Sequence, residues 1–205
     1  MKMNTYKAPY VIAEIGCNHK GEMEIAKELI KIAKIFCNAD AVKFQKRNNV
    51  ELLTEEQYNA PHPNPANSYG DTYGAHREFL EFDVNQHAEL KAYCEEIGIV
   101  YSTSVWDTTS AKEIASLNPE FIKIPSACNN NYDMLGWLCD NYQGEIHIST
   151  GMTTKGEADD LVDFFTSKGR NKDLVLYNCT SGYPVPFEDV CLLDINLLIE
   201  KYGDK

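Results

Sequence analysis

Two lysines within apolar, strand-like segments need a chemical partner. Lys43 lies in AVKFQK and Lys123 lies in FIKI, so each ammonium group would sit in largely apolar surroundings. Together the two could hold a doubly charged phosphate, with the hydroxyls of Thr103, Ser126 and Ser149 as further donors. Alternatively, one lysine could form a Schiff base with a carbonyl compound. A structural ion pair with a carboxylate is the third possibility for either lysine.

The first predicted strand-to-helix turn, EIGCNHKGE, carries a carboxylate, an amide and an imidazole. Glu14 could orient a substrate hydroxyl or transfer a proton, or it could pair with Lys43 inside the fold. Asn18 and His19 could cap the following helix, and His19 could equally be a buried ring with a satisfied hydrogen bond. The turn is therefore compatible with an active-site wall and with a structural role.

Strand-like and helix-like patterns alternate along the chain, which predicts a parallel sheet. The predicted strands span residues 10–16, 41–46, 99–105, 121–126, 145–151 and 174–179. The predicted helices span residues 22–37, 83–97, 108–117, 132–141, 155–168 and 192–202. Polar residues follow the C-terminal end of every strand, as in a (β/α)8 TIM-type barrel. A doubly wound dinucleotide-binding fold is disfavoured, because the first turn lacks the GxGxxG pattern.

Residues 48–81 interrupt this alternation. Pro61, Pro63 and Pro65 fall in this segment, and they remove backbone donors and restrict φ. The sequence therefore predicts a lid-like loop with little regular structure before Ala75, since a loop of this length in a compact domain is usually functional or mobile.

Charge and composition exclude several classes of protein. The net charge of −12 argues against a sequence-independent nucleic-acid surface, and no apolar run approaches the roughly 18 residues of a membrane span. The first 16 residues lack a signal-peptide apolar region, so we expect a cytoplasmic protein. The seven cysteines are scattered without a CxxC pair, which disfavours a disulfide framework or a zinc site.

Seven motifs occur in the order found in the sialic acid synthase family: IAEIGCNHKG, VKFQ, YGAHREFLE, YSTSVWD, IKIPSA, ISTGM and CTSGYP. The chain resembles this family from Ala8 to about Asp194. The resemblance implies condensation of phosphoenolpyruvate with an N-acylated amino sugar to make a nonulosonic acid. It also implies a (β/α)8 barrel, a homodimer, and a divalent Mn²⁺ or Mg²⁺ that polarises the sugar aldehyde.

The resemblance also implies roles for individual residues. Phosphoenolpyruvate contacts would be Lys43, Thr103, Lys123, Ser126, Ser149 and Ser181. Gln45 and Tyr183 would contact the sugar, and Glu14 and Asn18 would lie around both substrates. Glu14, Lys43 and Lys123 are the candidate catalytic residues. Tyr73 and Arg77 of YGAHREFLE would lie at the mouth of the barrel, where Arg77 could clamp a carboxylate, although this segment could instead be a surface lid with ordinary ion pairs.

Three departures from the family pattern shape the expectation for this chain. Cys128 stands where the family often has a catalytic Glu, and Asn178 stands where a His usually precedes CTS. The metal-ligating histidines and the small antifreeze-like domain of the family would lie beyond Lys205. Six βα units instead of eight predict one truncated barrel domain over residues 1–205 that does not catalyse condensation alone. The alternative function is a non-catalytic barrel that binds anionic sugars or partner chains; a Schiff-base aldolase using Lys123 is a weaker third possibility.

Overall fold

Six parallel β-strands form one sheet in the computed structural model, which describes residues 8–182 and 184–203. The strands are β1 Ile12–Gly16, β2 Ala41–Lys46, β3 Val100–Val105, β4 Phe121–Ile124, β5 Glu145–Ser149 and β6 Leu174–Tyr177. Their spatial order follows the chain from β1 to β6. Within the described residues β1 and β6 each have one neighbour, so the sheet is open. This is the arrangement of six consecutive units of a (β/α) barrel, and it confirms the predicted fold class.

One or more helices follow every strand. They are α1 Met23–Ile35, α2 Asn49–Leu52, α3 Glu55–Asn59, α4 Tyr73–Leu80, α5 Val84–Ile97, α6 Thr108–Ser116, α7 Tyr132–Asn141, α8 Lys155–Ser167 and α9 Asp194–Tyr202. The predicted strands and the six predicted helices are all found, with ends that differ by a few residues. Gly98 ends α5 in the left-handed conformation, at φ 74°. None of the described helices is long and apolar enough to span a membrane.

The two faces of the sheet carry different side chains because successive residues of a strand point to opposite sides. Phe44, Ile122 and Ile148 lie on the helix-facing side and belong to the fully buried apolar core. Lys43 and Lys123, which alternate with them, point to the concave side. The apolar face therefore supports the helices, and the concave face is left for polar chemistry.

Residues 48–81 contain more helix than predicted. The expectation of little regular structure before Ala75 is wrong, because α2 and α3 precede the first proline and α4 begins at Tyr73. Asn48 caps α2, and Thr54 forms a capping box with Gln57 at the start of α3. Between α3 and α4 the segment has only the short 3₁₀ turn Pro65–Asn67. Local capping thus stabilised short helices that the apolar periodicity did not indicate.

Two buried histidines should make the folded chain less stable in mild acid. His87 is fully buried with Nδ1 2.7 Å from the Tyr101 hydroxyl, and His19 is stacked on Phe82 with ring centroids 4.0 Å apart. Burial lowers the pKa of His87 to about 3 and that of His19 to about 4. Both rings therefore stay neutral when folded but take up a proton near pH 6.5 when unfolded.

Stability contributed by these two histidines is present above about pH 6.5 and declines as the pH falls toward the folded-state pKa values. We expect the free energy of unfolding to be lower at about pH 5 than at about pH 7.5, by about 2 kcal/mol for each of the two histidines. Urea denaturation at about pH 7.5 and about pH 5 measures this loss, and His19→Gln should reduce it by about half. An equal free energy of unfolding at both pH values would contradict the prediction.

Candidate functional site

A cavity of about 610 Å³ lies at the C-terminal ends of the strands on the concave face. The register explains its lining, because Glu14 pairs with Lys43 across β1 and β2, and Ser104 pairs with Lys123 across β3 and β4. Of the residues predicted for the site, those that line the cavity are Glu14, Lys43, Gln45, Lys123, Ser126, Ser149 and Ser181. Residues from all six βα units thus contribute side chains to one polar pocket.

A chain of hydrogen bonds orients the side chains of the first three strands. Trp106 Nε1 donates to Gln45 Oε1 at 2.7 Å, and Gln45 Nε2 donates to Glu14 Oε1 at 2.8 Å. The other carboxylate oxygen of Glu14 forms an ion pair with Lys43 Nζ. Lys43 Nζ also donates to Ser104 Oγ at 2.9 Å. The Glu14–Lys43 ion pair considered from the sequence is therefore present, and Glu14 still keeps 48% of its side chain exposed.

Lys123 is a cation of this cavity that has no ion-pair partner among the described residues. Among the described residues no carboxylate or hydrogen-bond acceptor contacts its ammonium group. Burial, and then the nearby charge of Lys43, lowers the pKa of Lys123 to about 8. Two lysines and one carboxylate leave the cavity with a surplus of positive charge when both lysines are protonated, which suits an anionic ligand.

The loops after β5 and β6 close one side of the cavity. A Cβ atom at Gly151 would lie 2.8 Å from Ser181 Oγ, so a residue without a side chain allows the two loops to approach. The Cys179 thiol donates to Ser149 Oγ at 3.5 Å. Tyr183, predicted to contact the sugar, lies outside the described residues.

The prediction that Thr103 supplies a hydroxyl to this site is wrong in its placement. Thr103 is fully buried, pairs in register with core residue Phe44, and does not line the cavity. Ser104 and Trp106 line it instead. Strand alternation was the signal that could have found them, because positions 104 and 106 share a face while 103 does not.

Three further predicted residues lie away from the cavity. Asn18 is exposed and its side-chain amide donates to the Ile15 carbonyl, so it stabilises its own turn. It does not cap α1, whose N-cap residue is Glu22. Tyr73 and Arg77 contact each other on α4, with the guanidinium 5.6 Å from the ring centre. Neither lines the cavity, because α4 packs against α2 and α3 and, through Phe79, against Gly21 of the β1–α1 turn.

A buried ion pair anchors the end of α4 to the end of β2. Arg47 Nε donates to Glu81 Oε1 at 2.5 Å, and the Arg47 amide donates to Glu81 Oε2 at 3.0 Å. The Arg47 guanidinium also donates to the Cys17 sulfur and lies 5.8 Å from the ring centre of Trp106. This cluster links residues 48–81 to the wall of the cavity through Trp106, and it was not predicted from the sequence.

His147 faces the concave side of the sheet. It pairs in register with Lys123, and its ring is stacked on that of Phe121 with centroids 4.1 Å apart. Its Nδ1 lies 2.8 Å from the Tyr177 hydroxyl oxygen. Alternation from Ser149 places it on that face. His147 lines a second cavity, toward the N-terminal ends of the strands, and it is not among the residues that line the lysine cavity.

Comparison with known proteins identifies the family. The sequence model of the NeuB family matches residues 29–205. The chain belongs to the NeuB family. It is 35% identical over 197 residues to N-acetylneuraminate-9-phosphate synthase of Drosophila melanogaster, covering 94% of this chain and 51% of that protein. It is 29% identical over 187 residues to N,N'-diacetyllegionaminic acid synthase of Campylobacter jejuni, covering 91% of this chain and 55% of that protein.

Solved structures agree with this assignment to the NeuB family. The sialic acid synthetase of Leptospira borgpetersenii superposes with a TM-score of 0.80 at 25% identity, covering 96% of this chain and 63% of that one. A truncated 3-deoxy-D-arabino-heptulosonate 7-phosphate synthase of Thermotoga maritima shares the fold, with a TM-score of 0.61 at 11% identity. The chain spans about half the length of the curated NeuB relatives described above.

Proposed function

We propose that this chain carries the phosphoenolpyruvate-binding part of a synthase that condenses phosphoenolpyruvate with an N-acylated amino sugar. The observation that supports this most directly is the shared cavity of Lys43 and Lys123, ringed by serine hydroxyls at the C-terminal ends of parallel strands. The relatives include synthases of N-acetylneuraminate 9-phosphate and diacetyllegionaminic acid. A site with surplus positive charge suits a substrate that carries both a phosphate and a carboxylate.

In this proposal the alkene carbon of phosphoenolpyruvate attacks the open-chain aldehyde of the sugar and forms the new carbon–carbon bond. Water then adds at the carbon that bears the phosphate, and inorganic phosphate leaves. Lys43 and Lys123 hold the anionic groups, which is the kind of electrostatic stabilisation that contributes most to such reactions. Glu14 and Gln45, joined by a hydrogen bond, would orient the hydroxyls of the sugar.

A divalent metal fits the described residues poorly. No group of three or more His, Cys, Asp or Glu side chains that could hold a metal ion occurs in residues 8–182 and 184–203. Glu14, which lines the cavity, is already paired with Lys43. The mechanism above therefore uses no metal-dependent step. A cytoplasmic location remains part of the proposal as an expectation from the sequence. A homodimer and dependence on Mn²⁺ or Mg²⁺ remain expectations for the complete family enzyme.

Calorimetric titration of the chain with phosphoenolpyruvate tests the binding site. We expect inorganic phosphate to compete and pyruvate, which lacks the phosphate, to bind at least tenfold more weakly. Lys123→Met should weaken phosphoenolpyruvate binding about tenfold or more, since a charge-assisted hydrogen bond contributes about 1.5–3 kcal/mol. Lys27→Met is the matched control, because Lys27 lies on α1 and pairs with Glu89. Equal affinities of the two variants would overturn the proposal.

A condensation assay separates the synthase from the alternative function. The chain is incubated with phosphoenolpyruvate, N-acetylmannosamine and Mn²⁺, and both phosphate and the nonulosonic acid are measured. From the sequence we expect no turnover by this chain alone. Turnover would contradict that expectation and establish condensation directly. The chain is also assayed together with a full-length relative whose own lysines at this site have been replaced. If the chain binds phosphoenolpyruvate but neither assay shows turnover, the non-catalytic barrel is favoured.

A further inference from the structure

Lys123 differs from the other lysines of the β-strands. Lys43 is paired with Glu14, and Lys46 Nζ lies 3.0 Å from Glu113 Oε2. Lys123 has no such carboxylate partner among the described residues, yet it is largely buried and lines an open cavity. Its amine is thus partly desolvated, has no carboxylate partner within the part of the chain that the structure describes, and is accessible to a small molecule through the cavity.

We infer that Lys123 is a site of covalent modification by small aldehydes that carry a phosphate. The inference rests on the proposed anion site, because Lys43 would hold the phosphate while the aldehyde carbon meets the amine of Lys123. A desolvated lysine beside another cation is the environment that makes an amine nucleophilic. Lys43 itself is a poorer nucleophile, because its ammonium group is held by Glu14 and donates to Ser104.

The protonation state of Lys123 agrees with this geometry. With a pKa of about 8, roughly a quarter of the Lys123 side chains are neutral at about pH 7.5. An ordinary lysine is neutral in only about one molecule in a thousand at that pH. The lone pair needed for attack is therefore present on Lys123 far more often than on a solvated lysine.

The reaction balances with the aldehyde as its only co-reactant. The neutral amine of Lys123 attacks the carbonyl carbon, a carbon–nitrogen bond forms, and the carbinolamine loses one water to give an imine. Borohydride then delivers hydride to the imine carbon and solvent supplies a proton to nitrogen, which leaves a stable secondary amine. The exposed Cys179 thiol also borders this cavity, but its hemithioacetal adducts reverse and are not trapped by borohydride.

Pyridoxal 5′-phosphate followed by borohydride tests the inference on the whole chain. Peptide mapping should find Lys123 labelled at least tenfold faster than any other lysine. Pyridoxal, which lacks the phosphate, should label Lys123 at least fivefold more slowly, and inorganic phosphate should protect it. Labelling spread evenly over the exposed lysines, or labelling of Lys123 that phosphate does not affect, would overturn the inference.

The variant Lys43→Met provides the matched comparison. Removing the neighbouring cation raises the pKa of Lys123, so the pH midpoint for its labelling should move upward. The wild-type pH profile, with a midpoint near 8, tests the same point if this variant does not fold. Phosphoenolpyruvate binding measured in parallel separates the two ideas. If phosphoenolpyruvate binds but Lys123 is not labelled selectively, this inference alone is wrong. If Lys123 is labelled selectively, and phosphate blocks the labelling but phosphoenolpyruvate does not, the proposed function alone is wrong.

Discussion

Replacing Glu81 with Ala should destabilise the folded chain by about 3–5 kcal/mol, because it leaves the Arg47 guanidinium buried without a counter-charge. The side chains of Arg47 and Glu81 are only 7% and 8% exposed. The lost carboxylate also accepts the Arg47 backbone amide, so one substitution removes two hydrogen bonds between α4 and β2. Urea denaturation followed by circular dichroism measures the change in the free energy of unfolding.

A double variant distinguishes the charge effect from simple loss of packing. Burial raises the pKa of the Glu81 carboxyl in spite of the opposing charge of Arg47, so the ion pair does not fully compensate for desolvation. Arg47→Met combined with Glu81→Gln should therefore recover most of the stability lost in Glu81→Ala. Glu24→Ala, at an exposed residue of α1, is the control and should change the free energy of unfolding by less than about 0.5 kcal/mol. A loss below about 1 kcal/mol in Glu81→Ala would show that the pair is not a structural anchor.

The second large effect is expected at Lys43. Lys43→Met removes one of the two cations of the cavity and leaves Glu14 free to pair with Lys123. The net charge of these three side chains falls from +1 to 0 when Lys123 is protonated. We expect phosphate and phosphoenolpyruvate affinity to fall about 100-fold, which corresponds to about 2.7 kcal/mol. Calorimetric titration of both ligands gives the affinities.

Glu14→Gln is the opposite change in the same cavity. It keeps the shape of the side chain and the possibility of a hydrogen bond to Gln45, but it frees Lys43 from its ion pair. The affinity of Glu14→Gln for phosphate should therefore be severalfold higher than that of the wild type, whereas the affinity of Lys43→Met should be lower. If both variants weaken phosphate binding equally, the cavity is held together by the ion pair and the charge argument is wrong.

The alternation of patterns along the sequence determined the architecture of this protein. Buried apolar residues that face the helices, such as Phe44 in β2 and Ile122 in β4, recur at every second position of their strands. Capped amphipathic segments lie between the strands. Local spacing decides which face of a strand or helix is apolar, and apolar burial then decides how the elements pack. The placement of Lys43 and Lys123 on the same face of parallel strands follows from the same pattern, which is why both lysines could be assigned to one site.

The partners of these residues were decided only by the tertiary structure. The sequence motif contained Thr103, but the pleat of β3 turned Ser104 and Trp106 into the cavity instead. Tyr73 and Arg77 share a motif with Glu81, yet the path of α4 brought Glu81 to Arg47 and kept Tyr73 and Arg77 away from the cavity. The Arg47–Glu81 contact joins residues 34 positions apart, so it depends on how the strands and helices pack and not on a local pattern. Whether Glu14 neutralises Lys43 and leaves Lys123 unpaired depends on strand register, because no local pattern specifies which carboxylate meets which ammonium group.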